Sequence, residues 1–191
     1  ALESMGHHVA EAATGAQALD ALRRRRFDLV LLDLRLGKES GLDVLPELLR
    51  VAPGVHVVII TAHASLGSAI DAMRKGAFDY LPKPFTPDEL RVVLDRSALV
   101  RGLRNRVAET YRTLLDREAD GGGLEGWMGV LRAGGTTEDV VVGILSSAEY
   151  YSLPTRAASN PARWVRSAYL DALSRPAVRD EIESWLRNLG S

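Results

Sequence analysis

The sequence predicts two parts of different class, a parallel α/β sheet followed by an all-α module. Three observations predict this. Apolar runs of strand length alternate with segments of helical period up to about residue 86, the signature of βαβ units. Beyond Thr86-Pro87 no strand pattern recurs, and residues 111–131 reappear in altered form at residues 169–189.

In chain order, strands are expected at His8–Ala12, Asp28–Leu32, His56–Thr61 and Asp79–Leu81. The runs Leu29-Val30-Leu31-Leu32 and Val57-Val58-Ile59-Ile60 are continuous rather than alternating, which predicts strands buried on both faces. Between them, Thr14-Gly15 opens a helix over Ala16–Arg26 with Ala18, Leu19 and Leu22 on one stripe. Leu42–Val51 and Ser65–Lys75 supply two more, leaving through Pro53-Gly54 and Gly76.

Thr86-Pro87 is a strong helix start. Leu90, Leu94, Val100, Leu103 and Val107 then run amid arginines, predicting one amphipathic helix from Asp88 towards Tyr111 or Leu115 that links the two parts. The boundaries that follow are residues 1–105 for the first domain, with linker helix 88–110, and residues 108–191 for the second.

The repeat has an offset of 58 residues: Tyr111, Leu115, Arg117, Ala119, Glu125, Trp127 and Leu131 are matched by Tyr169, Leu173, Arg175, Ala177, Glu183, Trp185 and Leu189. Rare aromatic residues in one register predict a helix–turn–helix unit used twice, with copies beginning near 111 and 169. Asp120 is expected to cap the Trp127 helix, and both tryptophans are expected to anchor a core. The first copy continues through Gly134-Gly135-Thr136-Thr137 into a helix over Glu138–Tyr150, and Pro161 opens another towards Leu173.

Composition excludes several classes. The 191 residues carry 24 basic and 25 acidic side chains, a net charge of -1, without the basic excess of a general nucleic-acid binder. The arginines between 91 and 106 are accompanied by Asp88, Glu89, Asp95 and Glu109, and no helix-turn-helix pattern with a basic recognition helix follows, so no nucleic-acid partner is expected. Without cysteine, a disulfide scaffold, a thiolate nucleophile and a Cys-based zinc site are excluded, and a cytoplasmic location is allowed. The apolar runs are too short for a bilayer, and residues 1–10 lack the basic start and apolar core of a signal peptide. His7, His8, His56 and His63 are not at metal-ligand spacing with carboxylates.

The chemistry lies at the strand ends. Asp33 follows a buried apolar strand, which in an open parallel sheet puts its carboxylate at the carboxyl edge, where ligands bind. Thr61 and Lys83 end the next two strands in the same way. A carboxylate, a hydroxyl and an ammonium so placed are able to hold a phosphoryl group: Asp33 as nucleophile, Lys83 neutralising charge, Thr61 donating a hydrogen bond.

These residues carry a resemblance. Phe27-Asp-Leu-Val-Leu-Leu-Asp-Leu-Arg-Leu, Ser40-Gly-Leu-Asp-Val-Leu, Ile59-Ile-Thr-Ala-His and Gly76-Ala-Phe-Asp-Tyr-Leu-Pro-Lys-Pro-Phe together resemble the receiver domain of bacterial two-component response regulators, of the nitrogen-regulatory, sigma-54-activator type. The resemblance implies a flavodoxin-like parallel sheet with Asp33 as phosphoacceptor, Thr61 as switch hydroxyl, Tyr80 as switch aromatic and Lys83 as phosphoryl-contacting lysine. It also implies a cis Lys83-Pro84 bond, a sensor histidine kinase as partner, and a phosphoprotein that is not itself an enzyme.

Against the family pattern, Ala1-Leu-Glu-Ser-Met-Gly resembles the end of the first helix. The first strand and its two acidic residues are therefore expected to be missing, in an N-terminally truncated receiver. Of the usual Mg²⁺ ligands, the Asp33 carboxylate and the Arg35 backbone carbonyl would remain, a weak site. Two expectations follow: direct pairing of the His8 and Asp28 strands, or a fragment that folds poorly alone; and inefficient autophosphorylation.

Residues 108–152, and 161–191 in part, resemble a bacterial helical domain of unknown function, often tandem in surface proteins and distantly like phycobilisome linkers. The matching stretches are Tyr111 to Trp127, Leu131-Arg-Ala-Gly-Gly and Ser146-Ser-Ala-Glu-Tyr. An interaction module is the implication. The reading as a whole is a phosphorelay receiver coupled to that module, with a homodimer through the last strand and helix face and the linker helix as a further expectation. A phosphorylation-independent pseudo-receiver scaffold is the alternative.

Overall fold

Thr14 accepts a hydrogen bond from the Gln17 amide and opens the first α-helix, α1 (Gly15–Arg24), in a computed structural model that describes residues 2–62 and 64–189; a 3-10 turn at Glu3–Met5 precedes it, and His63 lies outside the described residues. After it come β1 (Leu29–Asp33), the two-residue strands β2 (Arg35–Leu36) and β3 (Glu39–Ser40), and α2 (Gly41–Val51). Then follow β4 (His56–Thr61), α3 (Leu66–Arg74), β5 (Asp79–Pro82) and α4 (Pro87–Leu115). The chain divides into two compact units, Ala1–Leu99 and Val100–Ser191.

In the first unit β1, β4 and β5 form a parallel sheet in that order, with Leu31 opposite Val58 and Ile59 opposite Tyr80. β4 is central, and strand alternation sends its side chains to two cores. Val57 and Ile59 pack with Leu19, Leu22, Leu32, Leu45 and Leu48. Val58 joins Leu81, Leu90 and Val93 on the opposite face. Each fully buried aliphatic side chain stabilises the fold by roughly 1.5–3 kcal/mol.

Two sequence expectations fail here for one reason. His8–Ala12 is not a strand and does not pair with β1. Strand conformation is held by ladder bonds to a neighbour, and residues 8–12 have none among the described residues. β1 is consequently an edge strand, and Leu29, Val30 and Leu31 are half-buried where burial on both faces was expected. β2 and β3, a minimal antiparallel pair, are too short to leave a periodic signal.

The second unit contains the end of α4, then α5 (Gly121–Arg132), α6 (Thr137–Leu145), α7 (Ala148–Ser152), α8 (Pro161–Leu173) and α9 (Arg179–Leu189). Asp120 caps α5 by accepting from the Gly123 amide at 2.7 Å. The helix expected over 138–150 is two helices, because Ser147 starts α7 by accepting from the Tyr150 amide. Val107, Tyr111, Leu115, Met128, Val140, Ile144 and Tyr150 form the core. The Tyr150 hydroxyl donates to Asp171 at 2.8 Å, and burial, with that bond, raises its pKa.

The repeat is built as its register predicts. Trp127 Nε1 donates to the Tyr111 hydroxyl at 3.2 Å, and Trp185 Nε1 to the Tyr169 hydroxyl at 3.2 Å. Arg117 and Arg175 each sit 5.0 Å over the corresponding tyrosine ring. The two tryptophans differ in burial: Trp127 is half-buried, whereas Trp185 is exposed and does not anchor a core. Among the described helices none is long and apolar enough to cross a membrane.

Candidate functional site

Asp33 ends β1, Thr61 ends β4 and Lys83 follows β5, so the parallel sheet brings all three to its carboxyl edge. Lys83 Nζ donates to Asp33 Oδ2 at 2.8 Å, with both side chains partly exposed. Thr61 is buried, and its carbonyl accepts from the Lys83 amide at 2.7 Å, which holds the lysine's backbone against the central strand. The Lys83-Pro84 bond is cis.

Tyr80 lies half-buried on β5, and its hydroxyl shares a hydrogen bond with Ser68 Oγ at 2.9 Å. It therefore joins β5 to α3. Arg35 stands at the start of β2, its amide donating to Asp33 Oδ1 at 3.0 Å. Both carboxylate oxygens of Asp33 thus accept a hydrogen bond, one from the backbone and one from an ammonium.

Receiver domains generally bind Mg²⁺ at an acidic pocket. That ion favours octahedral oxygen coordination with carboxylate help. Here the donor chemistry falls short. No group of three or more His, Cys, Asp or Glu able to hold a metal occurs among the described residues. Asp33 brings one carboxylate, with Lys83 on one of its oxygens, so the residues present do not fit a tight resident ion.

Two further residues shape the site and were not singled out from the sequence. A Cβ at Gly41 would overlap the Asp33 carbonyl oxygen and crowd the Leu34 Cα, so glycine lets the start of α2 lie directly on the backbone that carries the carboxylate. The Gly41 amide also donates to the Leu34 carbonyl at 2.9 Å. A Ser-Gly pair opening a helix just after the acidic strand end was the available signal. Ser68, the partner of Tyr80, also completes the capping box of α3 with Ser65; its place in a capping pattern was readable, its contact with β5 was not.

The Response regulator receiver domain family matches residues 1–95, and the Domain of unknown function (DUF4214) family matches residues 104–153. The chain is similar to the alginate biosynthesis transcriptional regulatory protein AlgB of Pseudomonas aeruginosa, 46% identical over 120 residues, which are 63% of this chain and 26% of that one. It is also similar to the luminescence regulatory protein LuxO of Vibrio campbellii, 35% identical over 147 residues, 77% of this chain and 30% of that one. The chain spans less than a third of the length of these curated relatives. A solved response regulator receiver domain protein from Clostridium thermocellum is 34% identical, with a TM-score of 0.50 over 53% of this chain and 82% of that one. With its parallel sheet, its strand-end Asp33, Thr61 and Lys83, and these matches over its first half, the chain belongs to the response regulator receiver domain family.

Proposed function

We propose that this chain is a phosphorelay receiver in which Asp33 accepts a phosphoryl group from the phosphohistidine of a sensor histidine kinase. The observation that carries the reading is the Lys83 Nζ to Asp33 Oδ2 contact of 2.8 Å at the carboxyl edge of the sheet. The Asp33 oxygen attacks phosphorus, the phosphorus–nitrogen bond to the donor imidazole breaks, and the histidine leaves with its electron pair. An acyl phosphate remains on Asp33. Lys83 exchanges its carboxylate partner for a phosphoryl oxygen and neutralises the added charge. Thr61 then turns its hydroxyl to the phosphoryl group, and Tyr80 repositions as the space around Thr61 changes.

The signal emerges on the face of β5 and α4. That helix exposes Val92 and Leu99, 60% and 61% accessible and seven residues apart, a spacing that suits a parallel homodimer along the linker helix. Nucleic acid is not a partner in this reading: Arg96 pairs with Asp79 and Arg104 with Glu125, so these arginines are committed to carboxylates. The chain acts as a phosphoacceptor and not as an enzyme, in the cytoplasm, and the helical unit serves as an interaction module. Membership of the receiver family favours this over a phosphorylation-independent scaffold.

Mg²⁺ is held weakly, by the Asp33 carboxylate and the Arg35 carbonyl. Incubating the 191-residue chain with acetyl phosphate and rising Mg²⁺, with intact-mass detection, tests both points. Slow addition of a single phosphoryl group that is abolished in Asp33→Asn is expected. Labelling that survives Asp33→Asn overturns the site, and rapid stoichiometric labelling at low Mg²⁺ overturns the weak-metal reading.

A further inference from the structure

The hairpin of β2 and β3 stands in the chain between Asp33 and α2. At its start the Arg35 amide donates to Asp33 Oδ1 at 3.0 Å, which fixes how the carboxylate is turned. At its end Ser40 accepts from the Leu42 amide at 3.2 Å and opens α2. The strands pair over two residues each, Arg35 with Ser40 and Leu36 with Glu39, and a ladder that short is marginal without outside support. Leu36 gives part of that support, packed against the core that includes Leu45 and Leu48.

Glu39 gives a second part through α1. Its Oε2 accepts from the Gly15 amide at 3.3 Å. Gly15 is the first residue of α1 and is buried, and the leading amides of a helix have no partner within it. A buried amide left unpaired costs stability, and a carboxylate at that end also meets the positive pole of the helix. Thr14 takes a different amide, that of Gln17. The approach needs a residue without a side chain: a Cβ at Gly15 would lie 2.8 Å from a Val44 methyl carbon and 3.2 Å from Glu39 Oε2.

We infer that Glu39 is a positioning residue for phosphoryl transfer. By holding β3 to the start of α1 it holds the paired β2, and with it the Arg35 amide that orients Asp33 towards Lys83. Glu39 acts through Arg35 and not on the reacting atoms. Small displacements matter here, because misplacing a reacting group by about 1 Å can slow a reaction by on the order of a hundredfold. The inference rests on the reading of Asp33 as the phosphoacceptor.

The test compares the full 191-residue chain with Glu39→Ala and Glu39→Gln. Acetyl phosphate labelling is followed by intact mass, and the Arg35 amide proton by heteronuclear NMR. In wild type the Asp33 carboxylate draws that resonance downfield, and Asp33→Ala shows where it falls without the bond. Glu39→Ala should slow labelling at Asp33 at least about fivefold and move the Arg35 resonance towards its position in Asp33→Ala. Glu39→Gln keeps a side-chain carbonyl that accepts from Gly15, so it should restore the resonance and bring the rate to within about twofold of wild type. Labelling of Glu39→Ala at the wild-type rate overturns the proposal and leaves the phosphoacceptor reading standing. So does a slower rate with the Arg35 resonance unmoved, which would make Glu39 a merely structural contact. Glu39→Gln as impaired as Glu39→Ala assigns the effect to charge and overturns it too. If wild type takes no label at Asp33, the phosphoacceptor reading falls and the Arg35 resonance alone decides: its displacement in Glu39→Ala upholds the hold on Asp33, and its absence overturns it.

Discussion

The Ser68 and Tyr80 hydroxyls lie 2.9 Å apart, joining α3 to β5. Ser68 Oγ also lies 3.0 Å from the Ser65 carbonyl, so the Tyr80 hydroxyl meets the capped start of α3. Tyr80→Phe removes one half-buried hydrogen bond and should lower stability by about 1 kcal/mol or less. Urea denaturation reads that cost. Phosphoryl uptake at Asp33 should stay within about twofold of wild type, since the hydroxyl points to α3; a large loss of uptake would place Tyr80 in the phosphoryl pocket itself.

Lys83→Met should separate chemistry from folding. The Asp33–Lys83 pair is 33% and 38% exposed, and partly solvated ion pairs contribute only about 0–1 kcal/mol. Stability in urea should therefore change little. Phosphorylation at Asp33 should slow by at least about tenfold, because charge developing on the phosphoryl oxygens loses its ammonium. Equal phosphorylation rates in the two proteins would remove Lys83 from the mechanism.

Gly41→Ala tests close approach. The new methyl group would occupy the space of the Asp33 carbonyl oxygen, and backbone cannot yield as a flexible side chain does. A loss of at least about 2 kcal/mol is expected, on the scale of overpacking in a core. Thermal melts of the variant beside Gly102→Ala, where a Cβ meets nothing within 4 Å, provide the control. Melting at the wild-type temperature would contradict the packing described.

The helical unit should lose stability in acid. Hydrogen bonds from Arg117 hold the Glu149 carboxyl below its ordinary value of 4.5, and those from Arg175 hold Glu181 down to about 2. A depressed folded-state pKa contributes stability that is complete above the unfolded value and is lost as pH falls through the folded one. The loss belongs between about pH 5 and about pH 2. Glu149→Gln should flatten this acid limb in urea midpoints measured across that range while leaving the slope above pH 6 unchanged. An acid limb as steep as wild type would exclude Glu149 as a contributor.

Much of the receiver-like half was legible because β1 and β4 are continuous apolar runs that end in a polar residue, which places Asp33 and Thr61 at one edge. Lys83 follows a shorter, mixed strand, and its place at that edge came from chain order. The same reasoning misplaced His8–Ala12, since a strand is a property of two neighbouring segments and a pattern reports only one. Trp185 shows the matching limit in the second half. Register revealed its bond to Tyr169, yet burial depends on a third element lying over the ring, which the repeat could not report. The break at Ser147 was readable as a cap but was masked by helical period on both sides.

The central place of β4 has a thermodynamic consequence for the site it helps to build. Its amides are bonded into a ladder between two neighbours and its side chains are almost wholly buried, so their hydrogen exchange should require opening of the entire unit. β1 and β5 each have one described neighbour and can open locally. Thr61 is thus fixed to the slowest-exchanging segment, while Asp33 and Lys83 ride on faster ones, so the pocket combines one stationary wall with two that breathe.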